Sequence, residues 1–342
     1  MKRISLAGRQ RETRRRHSVC IVGLILVFAG LLLPIGSQSS AEISGPLEPE
    51  MKVFVSILPQ AYFLDRVGGD LVDVSVMVGP GHSPHTYEPG PKQMYELSQA
   101  KLYFRIGVDF EKVWMERISK INPNMKVVDT RHGIELLPMK AHHHEERHGL
   151  QGRHQEKDQD EHHRHNGHGE RGSAHRHRGE GLKDPHIWLS LRLVKIQAQT
   201  VFEALAAEDP AHRTYYLENL KALERDLDEL DRKIAQSLKK AKTGKFMVFH
   251  PAWGYFARDY GLEQIPIEIE GKEPTAKDLI RIIEEAKEEG IGIIFVQKQF
   301  SKTSAETVAR AIGGKVVHID PLARDYLKNM KEIADRFAGI LR

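Results

Sequence analysis

Apolar runs of strand length alternate with longer segments of helical period along most of the chain. Lys52 to Leu58, Val72 to Val78, Leu102 to Ile106 and Lys126 to Val128 read as strands rich in Val and Ile. Gly68-Gly69 and helical segments at Lys92 to Ala100 and near Phe110 to Lys120 separate them. Ile187 to Ala207 reads as a helix, and Pro210 introduces the longest periodic segment. There Leu217, Leu220, Leu223, Leu227, Leu230, Ile234 and Leu238 recur at three and four residues among Glu, Asp, Lys and Arg. About thirty such residues make a helix of roughly 45 Å.

The alternation restarts after Gly244. Strands are predicted at Lys245 to Phe249, Glu263 to Ile269, Ile291 to Val296 and Lys315 to Ile319, with helices over Thr275 to Glu289 and Ser301 to Ile312. Thr275 and Asp278 have the spacing of a helix-start box. Strand runs with helices between them predict parallel sheets covered on both faces. The fold class is therefore α/β, in two lobes. Residues 42–210 form the first, 211–243 a long linker helix and 244–342 the second. A coiled coil between two chains is the competing use of the leucine repeat; a connector packed along its own protein fits better, because the repeat lies between two α/β units and hardly exceeds four heptads.

The N-terminus departs from this rhythm. Seven basic residues precede the apolar run Val19 to Pro34, which Ser39-Ser40-Ala41 follows, as in a secretory signal over residues 1–41. The run is short of the roughly 20 residues of a membrane span, though an uncleaved signal would tether the chain. Removing residues 1–41 takes away seven basic residues and one acid, so the formal net charge falls from +4 to about −2. The basic balance belongs to the export signal and implies no nucleic-acid partner. The single cysteine, Cys20, opens the apolar run, the wrong place for a lipid anchor, and the exported chain has no thiol for a disulfide or a metal.

Eleven of the nineteen histidines fall between His142 and His177 among Glu, Asp, Arg and Gly, in a stretch with almost no side chain that gains by leaving water. His142, His143, His144, His148, His162, His163, His165, His168, His175 and His177 are candidates for a flexible, low-affinity metal collector over residues 141–182; a solvated polar loop is the plain alternative. His144-Glu145-Glu146-Arg147-His148 matches the zinc-peptidase pattern, but no apolar face would hold its geometry.

Four other residues sit where a site could form. His85 follows the strand ending at Val78, His250 closes Phe246 to Phe249, and Asp320 closes Val316 to Ile319; carboxyl ends of parallel strands face the ligand crevice. His186 stands near a helix start after Asp184-Pro185, where Asp184 could cap the helix or hold the imidazole. Each has a plain reading as a satisfied polar or turn residue. His82 and His318 are weaker candidates, His132 and His212 read as solvent or turn residues, and Glu88, Glu268 and Glu270 could support a site from behind or form surface ion pairs. Trp253, Tyr255 and Phe256 are expected to pack beneath it. No nucleophile elbow, phosphate loop or dinucleotide fingerprint is present.

The segments SPHTYEP, DPHIWLS, FHPAWGYF and IDPLARDY, in this order over essentially the whole exported chain, resemble those of the zinc and manganese solute-binding proteins of bacterial ABC importers (cluster A-I), in particular the zinc branch with its His-rich loop. The resemblance implies two lobes joined by a long backbone helix and metal ligands His85, His186, His250 and Asp320. It implies Zn²⁺ as transported ligand rather than cofactor, an ABC permease with its ATPase as partners, a periplasmic monomer, and no enzymatic activity. Three imidazoles favour zinc, copper or nickel over manganese, and a filled set of four leaves no position for a catalytic water. A metal buffer or surface adhesin on the same fold, and a metal-dependent hydrolase, are the rival classes. Histidine ligation also predicts that binding weakens as pH falls through about 6.5.

Overall fold

The fold is built from two four-stranded, all-parallel sheets of the same order. In the computed structural model, residues 51–139, 183–239, 244–269, 271–300 and 302–340 are described. The expected signal and the histidine-rich stretch, including all ten collector histidines, lie outside them.

The first sheet has the order β2-β1-β3-β4, from β1 (Met51–Ile57), β2 (Val72–Val78), β3 (Leu102–Arg105) and β4 (Lys126–Asp129). The second has the order β6-β5-β7-β8, from β5 (Lys245–Val248), β6 (Glu263–Pro266), β7 (Ile293–Gln297) and β8 (Lys315–Ile319). Each order reverses beside its first strand, which opens a crevice at the carboxyl ends there. Central strands read as continuous apolar runs because both faces are covered: Val53, Val55 and Ile57 of β1, and Met247 and Val248 of β5, are fully buried.

The helices of the first lobe are α1 (Leu58–Gly68), α2 (Pro91–Leu97), α3 (Asp109–Ile121) and α4 (Leu191–Glu208). The periodic segment forms α5 (Arg213–Leu238), about 39 Å long. Those of the second are α6 (Gly254–Tyr260), α7 (Ala276–Glu288), α8 (Thr303–Ala311) and α9 (Tyr326–Ile340). Leu220, Leu223, Leu227, Leu230, Ile234 and Leu238 are all buried within this chain, where α5 packs on α1, α4 and α9. The leucine stripe is thus spent on the protein's own helices, as a connector requires and a coiled-coil seam would not allow. Polar ties follow the same path: Arg66 of α1 meets Asp226 at 2.6 Å, and the Tyr260 hydroxyl of α6 donates to Asp231 at 2.8 Å.

Three helices escaped the sequence pattern. α1 begins directly at the end of β1 and its apolar residues continue the strand's run, so no polar break marks the change. α6 is only two turns long, GYFARDY, too short for a period to show, and α9 follows a loop in which Asp325 is the one cap-type residue directly ahead of it. Thr275 and Asp278 do form the expected box at the head of α7, the Asp278 N–H donating to Thr275 Oγ1 and the Thr275 N–H to Asp278 Oδ2.

Candidate metal centre

His85, His186 and His250 come from three separate segments, and one ring nitrogen of each lies within 4.8 Å of the other two. His85 stands in the loop after β2, fastened to the head of α3 by the Phe110 N–H donating to the Pro84 carbonyl. His250 follows β5, where Gln297 at the end of β7 clamps its backbone from both sides: the His250 N–H donates to Oε1 and Nε2 donates to the His250 carbonyl. His186 precedes a single 3-10 turn, Ile187–Leu189, rather than opening a long helix directly. The helix proper starts at Leu191, with Ser190 Oγ accepting from the Leu193 N–H. Trp188 in that turn donates from Nε1 to the Pro321 carbonyl and accepts at its own carbonyl from the Tyr326 hydroxyl, which pins the turn to the second lobe.

Every imidazole is held from behind by a carboxylate. His85 Nδ1 meets Asp109 Oδ2 at 2.6 Å, His186 Nδ1 meets Asp184 Oδ1 at 2.7 Å and His250 Nδ1 meets Glu268 Oε1 at 2.7 Å. A carboxylate can only accept, so each Nδ1 carries the proton and each Nε2 presents its lone pair. The Nε2 atoms of His186 and His250 face each other at 3.2 Å. Two lone pairs at that distance repel, and a cation bound by both relieves the repulsion. Nitrogen donors of this kind, oriented from behind by acids, fit a zinc-type ion.

Asp184 and Glu268 had been expected as possible supports; Asp109 had not, because nothing in the sequence ties the first residue of α3 to a histidine 24 positions earlier. Its carboxyl is held well below the usual carboxylate range, chiefly by its hydrogen bond to His85. The aromatic cluster lies beneath the site as expected. Trp253, Tyr255 and Phe256 are fully buried, and the Tyr255 hydroxyl donates to the Asp184 carbonyl at 2.8 Å. Phe300, missed in the sequence, lies flat on the His250 ring at 4.8 Å.

Asp320 is not brought into the cluster. Its Oδ1 accepts from the Leu322 N–H at 2.9 Å, and Oδ2 faces Lys298 Nζ at 3.5 Å. The carboxylate lines a neighbouring cavity of about 560 Å³ instead of the metal pocket. A backbone N–H and an ammonium satisfy it where it stands. His82 and His318 are both exposed, outside the cluster.

Burial dominates the ionisation of His250. Removal from water pushes its pKa down to about 4, outweighing Glu268, which raises it, while the other two imidazoles lower it further. Competition between metal and proton near pH 6.5 therefore does not extend to His250. In the zinc-free protein the unfolded chain holds one more proton than the folded one between about pH 6.5 and 4, because an exposed imidazole titrates near 6.5. The associated stability is fully present above pH 6.5 and is lost at about 1.4 kcal/mol per pH unit as pH falls through that window. Denaturant titrations with chelator should show this slope, and His250→Gln should reduce it by one proton; an unchanged slope would remove His250 as its source.

One glycine bears directly on the site. A Cβ at Gly254 would lie 2.9 Å from Asp184 Oδ2 and 3.1 Å from Gln264 Nε2. Gly254→Ala should push Asp184 off His186 and lower zinc affinity about 10-fold, the low end of effects seen on removing a ligand's carboxylate partner. Calorimetric zinc titration checks it, and unaltered affinity would show that Asp184 has room to move.

Two parallel-sheet lobes bound by a long helix, with imidazoles from both converging on one buried cluster, define a metal-binding solute-binding protein. The family model described as zinc-uptake complex component A, periplasmic (ZnuA), matches residues 53–339, and the chain belongs to that family. It is 41% identical to a solved structure described as ZnuA, with a TM-score of 0.73, covering 85% of this chain and 99% of that one. A ZnuA deletion mutant with zinc bound is also 41% identical, with a TM-score of 0.71 and coverage of 85% and 98%. The high-affinity zinc uptake system protein ZnuA of Bacillus subtilis is 27% identical over 306 residues, covering 88% of each chain.

Proposed function

We propose that the chain is the periplasmic component of a zinc importer, capturing Zn²⁺ between its lobes and delivering it to an ABC permease driven by an ATPase. The observation that carries this is the cluster of three carboxylate-backed imidazoles with their free Nε2 atoms turned on one another. His85, His186 and His250 act as direct ligands; Asp320, the fourth ligand implied by the resemblance, is a near neighbour paired with Lys298. Asp109, Asp184 and Glu268 offset the charge of the ion. Because the ligands come from both lobes, the metal favours the closed arrangement by its difference in affinity for the two forms. Among the described residues no helix is long and apolar enough to cross a membrane.

The space between the imidazoles measures about 20 Å³, enough for an ion or one water. The direct test is zinc uptake in cells deprived of their own carrier. The full chain should restore growth under chelation, and His250→Ala should not. Equal rescue by both would sink the carrier reading, and failure of the full chain to rescue beside a working permease would favour a buffer.

A further inference from the structure

Glu111, in the first turn of α3, carries a carboxylate with no exposed surface. Taking a carboxylate out of water is costly unless donors replace the lost hydration. Here four do. Oε1 accepts from the Ile106 N–H at 2.8 Å and from the Ser56 hydroxyl at 2.5 Å, and Oε2 accepts from the Gly107 N–H at 2.7 Å and from Arg105 Nε at 3.4 Å. Burial raises its pKa above the ordinary glutamate value, and Ile106, Ser56, Gly107 and Arg105 each act against that rise. The donors belong to the end of β1, the end of β3 and the turn that leads from β3 into α3, so one side chain fastens the head of the helix to both strands. Val108, just ahead of the helix, provides no side-chain cap.

The head of α3 in turn holds His85 from two sides. Asp109 Oδ2 meets Nδ1 of its ring at 2.6 Å, and the Phe110 N–H donates to the neighbouring Pro84 carbonyl at 3.1 Å. His186 and His250 are anchored differently, the first by its own N–H on Asp184 and the second by the Gln297 clamp. The His85 N–H donates to Ser83 Oγ at 3.3 Å, within its own loop. Where His85 stands relative to the other two imidazoles therefore depends on where α3 begins.

We propose that Glu111 is a positioning residue for metal binding: by fixing the turn ahead of α3 it sets Asp109 and Phe110, and through them His85, in the place from which the imidazole reaches the metal. This rests on the reading of the histidine cluster as the zinc site. A glutamine at position 111 would keep the shape but turn one acceptor oxygen into a donor, confronting either the Ile106 or the Gly107 N–H with another N–H. The turn then has to shift, and Asp109 shifts with it. An imidazole no longer held in advance has to be ordered when the metal binds, which lowers affinity.

The test is a double-mutant cycle in the full chain, read by zinc titration. Glu111→Gln should weaken binding about 10-fold, the low end for loss of a ligand's outer partner. Glu111→Asp, one methylene short of the turn, should do the same with the charge retained, and it carries the test if Glu111→Gln does not fold. In a His85→Ala background, where Asp109 has no ligand left to hold, either change should alter affinity less than about twofold, the scatter of independent sites. A general weakening of the fold would instead reduce affinity equally with and without His85. Tyr103→Phe removes the hydroxyl that meets Ser56 Oγ at 2.8 Å but leaves all four bonds to Glu111, and should stay within about twofold of the parent. Parent-like affinity in a folded Glu111 variant would overturn the proposal, as would a loss of about 10-fold in Tyr103→Phe or one that persists in the His85→Ala background. The underlying site reading fails separately, if tight zinc survives His186→Ala.

Discussion

His186→Ala should abolish tight zinc binding, lowering affinity by about 10² to 10³-fold. Structural zinc sites with four protein ligands are worth about 10–16 kcal/mol, so one imidazole accounts for roughly 3–4 kcal/mol of that. His186 is the severest choice of the three for geometric reasons. Its Nε2 stands 3.2 Å from that of His250, so the two define the narrowest part of the cluster. It is also 3% exposed, with Asp184 buried at 2% behind it, so no solvent-facing side chain can take its place. The fold should survive. Asp184 Oδ1 still receives the backbone N–H of position 186, at 2.9 Å here, and the Trp188 and Tyr326 hydrogen bonds do not involve the imidazole. Calorimetry would measure the loss of affinity, and thermal melting without metal should show a modest decrease. Retained nanomolar-class binding would mean that the metal sits elsewhere.

The second large effect concerns residues 142–180. If those histidines are a loose collector, removing them should strip the weakly bound ions and leave the tight one. The reasoning is that affinity comes from orientation. Each imidazole of the cluster is fixed through Nδ1 by a carboxylate and through its backbone by a turn or a neighbouring strand, so little freedom remains to be lost on binding. A stretch with almost no apolar side chain offers no comparable support.

Much of the architecture was legible because parallel sheets write themselves as apolar runs separated by helices. The strands lie within one or two residues of the runs that mark them, apart from the C-terminal end of β6, which stops at Pro266 rather than Ile269. The leucine repeat marked α5 equally well, while α1, α6 and α9 carried only isolated end signals, Pro59, Gly261 and Asp325, with no run of helical period to attach them to. At the site, strand ends located His85 and His250, and Asp184-Pro185 located His186. The same reasoning placed Asp320 on the correct edge of its sheet but could not weigh Lys298, 22 positions earlier in the chain, which meets its carboxylate only in three dimensions. Asp109, whose partner His85 stands 24 positions earlier, was hidden for the same reason. A polar residue whose partner is distant in sequence reads as an ordinary surface residue until the fold brings the pair together.

Zinc titration of the full chain beside a chain lacking residues 142–180 tests the central claim most directly. The account predicts that the shortened chain keeps one tightly bound zinc of unchanged affinity and loses only the weaker ions. Loss of all zinc would contradict it and return the site to the histidine-rich stretch.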